Sequence, residues 1–252
     1  MFEKKKILVI VKAYPVPSAK YIESVCCAGV DLSDNSWIRL YPIPFRYLSE
    51  DQQFKKYSII EVECIKSTKD KRHESYRIKD NSINVIETIG TEKGTWKKRK
   101  DIILEIPKMT MCEVLEKSKQ KQLSLGLIKP FDIQFSSEIR YTKEEVKSKI
   151  HKQPRLFDDL LPEIENIPYH FYYTFKCNDD CDGHKLPIID WEIGQAYRSW
   201  KRSYPNNYLQ KIEQKWMQIA DNSKKDVFFY VGNMQRFPEQ FMILGVFYPP
   251  LS

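Results

Sequence analysis

At 252 residues, with 42% hydrophobic and 30% charged side chains, the chain can bury a sizeable core and has a globular rather than a disordered or fibrous composition. Its formal net charge of +7 is uneven: residues 1–110 hold 21 Lys+Arg against 15 Asp+Glu, and the remainder 20 against 19. Six scattered cysteines, two of them adjacent, argue against a secreted disulfide framework. No apolar run is long enough for a signal core or a bilayer span, so a reducing cytoplasm and no membrane are expected.

In chain order, residues 6–14 read as a strand ended by Pro15 and Pro17. The runs 21–30 and 37–43 read as a hairpin, with Trp37, Arg39 and Tyr41 alternating against Ile38 and Leu40. A short helical piece over 45–53 precedes the clearest strand, 57–65, and further strands are expected at 75–78 and 83–88. Five short strands joined by turns predict a small curled sheet or barrel. Helical spacing then appears at 96–105 and 110–120, the second capped by Thr110, with Pro107 between them. A division into a basic, barrel-like domain over 1–107 and an α+β domain over 108–252 follows. In the second half, 125–139 reads as strand and Thr142-Lys-Glu-Glu145 as a helix start with capping-box spacing. An aromatic strand over 167–176, two helices over 190–202 and 206–220, and an antiparallel pair over 226–231 and 240–247 complete an α+β reading.

Soft ligands crowd at Cys177-Asn-Asp-Asp-Cys181-Asp-Gly-His184. Thiolates and imidazole suit Zn2+, and Gly183 offers a positive φ before the histidine, so a metal knuckle between strand and helix is expected. The fourth ligand is open. His170 is one candidate, which needs a bulge because a regular strand turns it away from Cys177; Cys112, Asp179, Asp180, Asp182 and Asp190 are others. A closed site would brace the fold, and an open one would make a metal-dependent hydrolase with Asp190 or Glu192 as base. The plain reading of those two carboxylates is a helix N-cap and its first turn.

The basic front half suggests a nucleic-acid partner, with Trp37 and Trp96 stacking on bases and Arg39, Arg46, Arg72, Lys97, Lys98, Arg99 and Lys100 meeting phosphates. A protein partner anchored by the 28 Tyr and Phe residues is the alternative to nucleic acid. No phosphate-cradling glycine loop, nucleophile elbow or dinucleotide fingerprint is present, and Cys26-Cys27 lies in an apolar run with no histidine near.

Three stretches together carry a resemblance: Lys12-Ala-Tyr-Pro-Val-Pro-Ser18 leading into Trp37-Ile-Arg-Leu-Tyr-Pro-Ile-Pro-Phe-Arg46, the knuckle with Asp190-Trp191-Glu192, and the ending over 228–232 and 245–247. They resemble a bacterial family of uncharacterised proteins of about this length with a Cys-x3-Cys-x-Gly-His motif. That resemblance implies one integral architecture and brings no activity with it.

Overall fold

The first long strand shows how the chain is layered. In β1 (Glu3–Lys12), Ile7 to Val11 are all buried, with no alternation between a wet and a dry face. Such a run belongs to a strand covered on both sides. Ile7 and Val9 enter one apolar cluster with Val25, Cys27, Ile38, Leu40, Ile60, Val62 and Cys64. Leu8 and Ile10 enter another, with Ala28, Val30, Ile59, Leu125, Leu127, Phe228, Tyr230 and Leu244. The first is the inside of a barrel and the second is a seam against the rest of the chain.

The protein is described from a computed structural model covering residues 1–13, 16–18, 22–140 and 167–251; the helix expected at Thr142 lies outside these. The barrel is built from β1, β3 (Ile22–Asp31), β4 (Trp37–Ile43), β6 (Ser75–Ile78) and β5 (Ser58–Lys66), in that order. Pairing of β5 back onto β1, Leu8 opposite Ile59 through Glu3 opposite Cys64, closes it. Neighbours are antiparallel except β4 and β6. Closure removes the open edges that a five-stranded sheet would otherwise expose. Strands β2 (Val16–Ser18) and β7 (Asn84–Thr88) pair outside the ring, on β3 and β5. The helix expected over 45–53 is only a 3-10 turn at Phe45–Tyr47.

Helix α1 (Lys97–Ile103) leads to the second half, whose sheet runs β14 (Phe241–Phe247), β13 (Phe228–Asn233), β9 (Leu125–Ile128), β8 (Lys108–Met109). Alternation along β13 gives the sheet two dry faces. Phe228 and Tyr230 join the seam, while Phe229 and Val231 join a third cluster with Phe171, Tyr173, Ile193, Tyr197, Ile212 and Trp216. That third cluster lies beneath α2 (Met111–Lys119), α3 (Trp191–Ser203), α4 (Tyr208–Ile219) and the small sheet β10 (Phe131–Ile139), β11 (Tyr169–Lys176), β12 (His184–Pro187). The single strand expected over 125–139 is thus two strands in two sheets, broken at Lys129-Pro130. The architecture is α+β, with a closed barrel in the N-terminal half and a central sheet packed on both faces.

Polar contacts stitch the seam as well. Glu74, 5% exposed, accepts from Ser124 N and Ser124 Oγ, both at 2.7 Å. Arg39, 2% exposed, donates to Ser124 O and Oγ at 3.1 Å. Lys56 reaches Asp190 at 3.0 Å, with both side chains under a tenth exposed. Each pair joins one half to the other, and each of these buried charged groups has at least one hydrogen-bond partner across the seam, although Arg39 Nε is buried without one.

Candidate metal centre

Strand β11 delivers Cys177 immediately beyond its last residue, and the chain then turns tightly, with Cys181 N donating to Asn178 O at 3.2 Å. Gly183 takes φ +103°, a conformation that a side chain would strain, and starts the return into β12. His184 comes back opposite Phe175 in the hairpin register. From a distant part of the chain, α2 brings Cys112 as its second residue. The helix starts there because Thr110 Oγ1 accepts from Glu113 N at 3.1 Å while the Glu113 carboxylate accepts from Thr110 N at 2.7 Å. That reciprocal cap fixes the helix start, and hence the position of the cysteine.

The ligand atoms of Cys112, Cys177, Cys181 and His184 all lie within 4.8 Å of one another. Sulfur–sulfur distances are 3.7 Å for Cys112–Cys177 and 3.9 Å for Cys112–Cys181. His184 Nε2 stands 3.5 Å from Cys112, 3.5 Å from Cys177 and 3.2 Å from Cys181. A tetrahedral ion bonded at roughly 2.3 Å to sulfur and 2.0 Å to nitrogen requires edges of about 3.8 and 3.5 Å. Five of the six donor–donor edges lie close to these values and the sixth is within 4.8 Å, so the four donors could hold one metal ion. Gly183 N donates to Cys181 Sγ at 3.3 Å, which supports a thiolate there.

The electrostatics agree with that fit. Burial holds the His184 imidazole below its ordinary value, in the neutral form that ligates. Burial, together with the sulfurs of Cys177 and Cys181, pushes the Cys112 thiol up to about 12. Three thiolates so close repel one another unless a cation lies between them. Cys177 and Cys181 are buried in the third cluster, whereas Cys112 is exposed, so the centre sits at the rim of the core.

His170 does not join them. Its part of β11 pairs against β10 without a shift, His170 opposite Glu138, so no bulge redirects it. At about 3.3 Å per residue, seven residues of strand hold it roughly 23 Å from Cys177. Its ring lies 5.9 Å from that of Tyr172 at a tilt of 45°, and burial with the charge of Arg140 keeps its imidazole below the ordinary value. Cys112 supplies the fourth donor instead; 65 residues of chain before Cys177 give no local spacing that singles it out.

Asp190 and Glu192 also lie elsewhere. From His184 the chain runs extended, Ile188 bridging Ile243 and Asp190 bridging Ala13, which carries Asp190 to the seam. There its Oδ1 accepts from Glu192 N at 3.2 Å, as the α3 N-cap, and its Oδ2 meets Lys56. Glu192 is half-exposed in the first helical turn, 3.5 Å from Lys56 Nζ.

The residues expected to meet nucleic acid form no common face. Arg39 is buried because β4 is covered on both sides, so its alternation with Leu40 does not mean exposure. Arg72 is spent on Asp70, Nη2 to Oδ2 at 2.6 Å, and on Asn233 O at 2.6 Å across the seam. Trp37 packs edge-on against Tyr230 with centroids 6.2 Å apart. Trp96 rests among Tyr57, Phe247 and Tyr248. Arg99 lies 3.8 Å over the Tyr57 ring and donates twice to Ile89 O. Lys97 and Lys98 are exposed, while Lys100 and Arg46 are half-buried.

Among the described residues, no helix is long and apolar enough to cross a membrane. Comparison with curated proteins finds no match. Two family models do match: Domain of unknown function (DUF8758) over residues 3–105, and Domain of unknown function (DUF8757) over residues 107–252. The second spans more than half of the sequence, and with it the whole Cys3His centre, the β13–β14 pair and the seam face of Asp190: the chain belongs to the family described as Domain of unknown function (DUF8757).

Proposed function

We propose that the protein is a nucleic-acid-binding module whose C-terminal half is fastened by a structural zinc ion. The observation that supports the structural zinc is the donor count: three cysteines and a histidine, gathered within 4.8 Å, match the four protein ligands that Zn2+ normally uses in a bracing site. Soft sulfur donors favour zinc over calcium or magnesium. A hydrolytic ion needs a position for water, and the two carboxylates considered as bases are engaged at the seam instead. The work of the protein is then done by its surface. A net charge of +7 favours a polyanion, and aromatic side chains outside the core supply stacking faces.

The test uses the zinc-loaded full chain and fluorescence anisotropy with single-stranded DNA, single-stranded RNA and duplex oligonucleotides at low salt. Binding that weakens steeply as salt rises is expected. Absence of binding to all three overturns the nucleic-acid reading. A cobalt-substituted sample should show a tetrahedral spectrum with no exchangeable water, and an exchangeable position would overturn the structural role of the ion.

A further inference from the structure

On α4, Lys211 and Lys215 are one turn apart, and so are Gln214 and Gln218. Residues at that spacing line the same side of a helix. Facing them, Trp200 in the last turn of α3 and Tyr204 at its C-cap stand one above the other. Together the six line an open groove of about 530 Å3 on the surface of the helical pair. Tyr204 is 43% exposed, Trp200 is half-buried, and Lys211 Nζ lies 4.2 Å above the Tyr204 ring.

The helical pair itself is predominantly basic. Residues 191–225 hold seven Lys and Arg against three Asp and Glu. Of those acids, Asp221 is engaged by Ser223 and by Lys224 at 3.3 Å, Glu192 lies at the opposite end of α3, beside Lys56, and Glu213 is exposed on α4, two residues from both Lys211 and Lys215 and so turned away from their side of the helix. Lys225 extends the lysine row: its Nζ donates to Gln218 O at 2.8 Å. Burial and the neighbouring charge of Lys215 hold its ammonium below the ordinary value. Solvated helix faces usually intersperse both signs, and a groove that concentrates one sign attracts counter-ions.

We infer that the α3–α4 groove is the binding surface for single-stranded nucleic acid, with Tyr204 and Trp200 stacking on bases and Lys211 and Lys215 neutralising phosphates. This rests on the nucleic-acid reading above and moves its surface from the N-terminal half to the helical pair. Aromatic faces reward flat bases, which an acidic peptide lacks, and a base reaches them only when it is not stacked inside a duplex. Gln214 and Gln218 offer amide donors and acceptors to base edges without choosing a sequence.

The experiment compares the zinc-loaded protein with K211Q/K215Q, Y204A and K97Q/K98Q, each checked for native melting. The probes are a fluorescent oligo-dT and a fluorescent poly-glutamate peptide. K211Q/K215Q and K97Q/K98Q carry the same net charge, so any difference between them reports location. K211Q/K215Q should lower the slope of log K against log salt by about 1.4, and Y204A should weaken oligo-dT binding roughly tenfold. K97Q/K98Q should change neither by as much. Oligo-dT binding that is equal in K211Q/K215Q and K97Q/K98Q overturns the groove and leaves the nucleic-acid reading standing. No oligonucleotide binding by the parent protein overturns both, and poly-glutamate bound more tightly than oligo-dT overturns the choice of ligand.

Discussion

At the scale of single residues, the metal centre depends on one donor that arrives from outside the knuckle. Cys177, Cys181 and His184 lie within eight consecutive positions, so a turn alone can gather them. Cys112 must be held by α2, whose start is fixed by the Thr110–Glu113 cap. Replacing Cys112 with Ser leaves three donors and an open position, which weakens the ion and releases α2 from the β11–β12 hairpin. On the zinc proposal, C112S should lose the metal on mild chelation and lose roughly 3 kcal/mol of stability, a fall of roughly 6–12 °C in Tm for a chain of this size. H170A, on the strand that leads into the knuckle, should keep its metal. Metal analysis after dialysis against a chelator separates the two, and equal zinc retention by C112S and the parent would remove Cys112 from the ligand set.

At the scale of elements, the join between β5 and α3 rests on the buried Lys56–Asp190 pair. It is possible there because β14 passes beneath with Gly245; a Cβ at that position would stand 3.0 Å from Lys56 Nζ and 3.2 Å from Asp190 Oδ2. Burial pushes the Asp190 carboxyl up to about 6 although Lys56 pulls it down, while Asp190 and Glu192 keep the Lys56 ammonium charged despite its burial. The 3.0 Å contact between them is therefore a buried ion pair in which each partner favours the other's charge. K56M should destabilise by roughly 3–5 kcal/mol, because it leaves the carboxylate buried and unpaired. D190N keeps the α3 cap and removes the charge, so K56M/D190N should recover much of that loss; denaturant midpoints of the three variants make the comparison. The double variant falling as far as the sum of the singles would mean that the residues do not act as a pair. Local patterning made the elements themselves legible: the β1 run, the Thr110 cap, the Asp190 cap and the closing β13–β14 hairpin all follow from short-range sequence. Exposure was not legible. Alternation along β4 separates Arg39 from Leu40, yet it cannot say that a second half covers the face on which Arg39 lies. For the same reason Arg72 reads as a phosphate contact, when Arg72 and Glu74 in fact reach into the partner half.

At the scale of the whole molecule, the two matched families are not two independent bodies, since residues from both sides of position 106 fill the seam cluster. The loop bearing Asp70 is one of the fastenings. Arg72 grips its carboxylate and reaches Asn233 O, while Ser75 Oγ donates to it at 2.9 Å. Burial opposes the Asp70 charge, but the Arg72 hydrogen bonds and charge prevail and hold its carboxyl below the ordinary 3.8. The sign of the linkage follows. Above 3.8 the group is ionised both folded and unfolded, and the native state keeps the full benefit of the Arg72 contact. As pH falls below 3.8 the unfolded chain takes up the proton first, so the benefit shrinks and is gone once pH passes the native value. The parent protein should thus be more stable than D70N at pH 6–7, by about 1–3 kcal/mol for a hydrogen-bonded, half-buried charge. That gap should close as pH falls below about 4. Comparing the two by urea denaturation at each pH cancels whatever both lose through protonation of the metal ligands. Because the fastening joins the halves, tryptophan fluorescence, which reports Trp37 and Trp96 in the first half together with Trp191, Trp200 and Trp216 in the second, and far-ultraviolet circular dichroism, which reports α2 to α4, should give one coincident transition. A gap between parent and D70N that stays constant down to pH 3 would mean that the Asp70 charge contributes nothing to the join, and two separated transitions would mean that the halves fold apart.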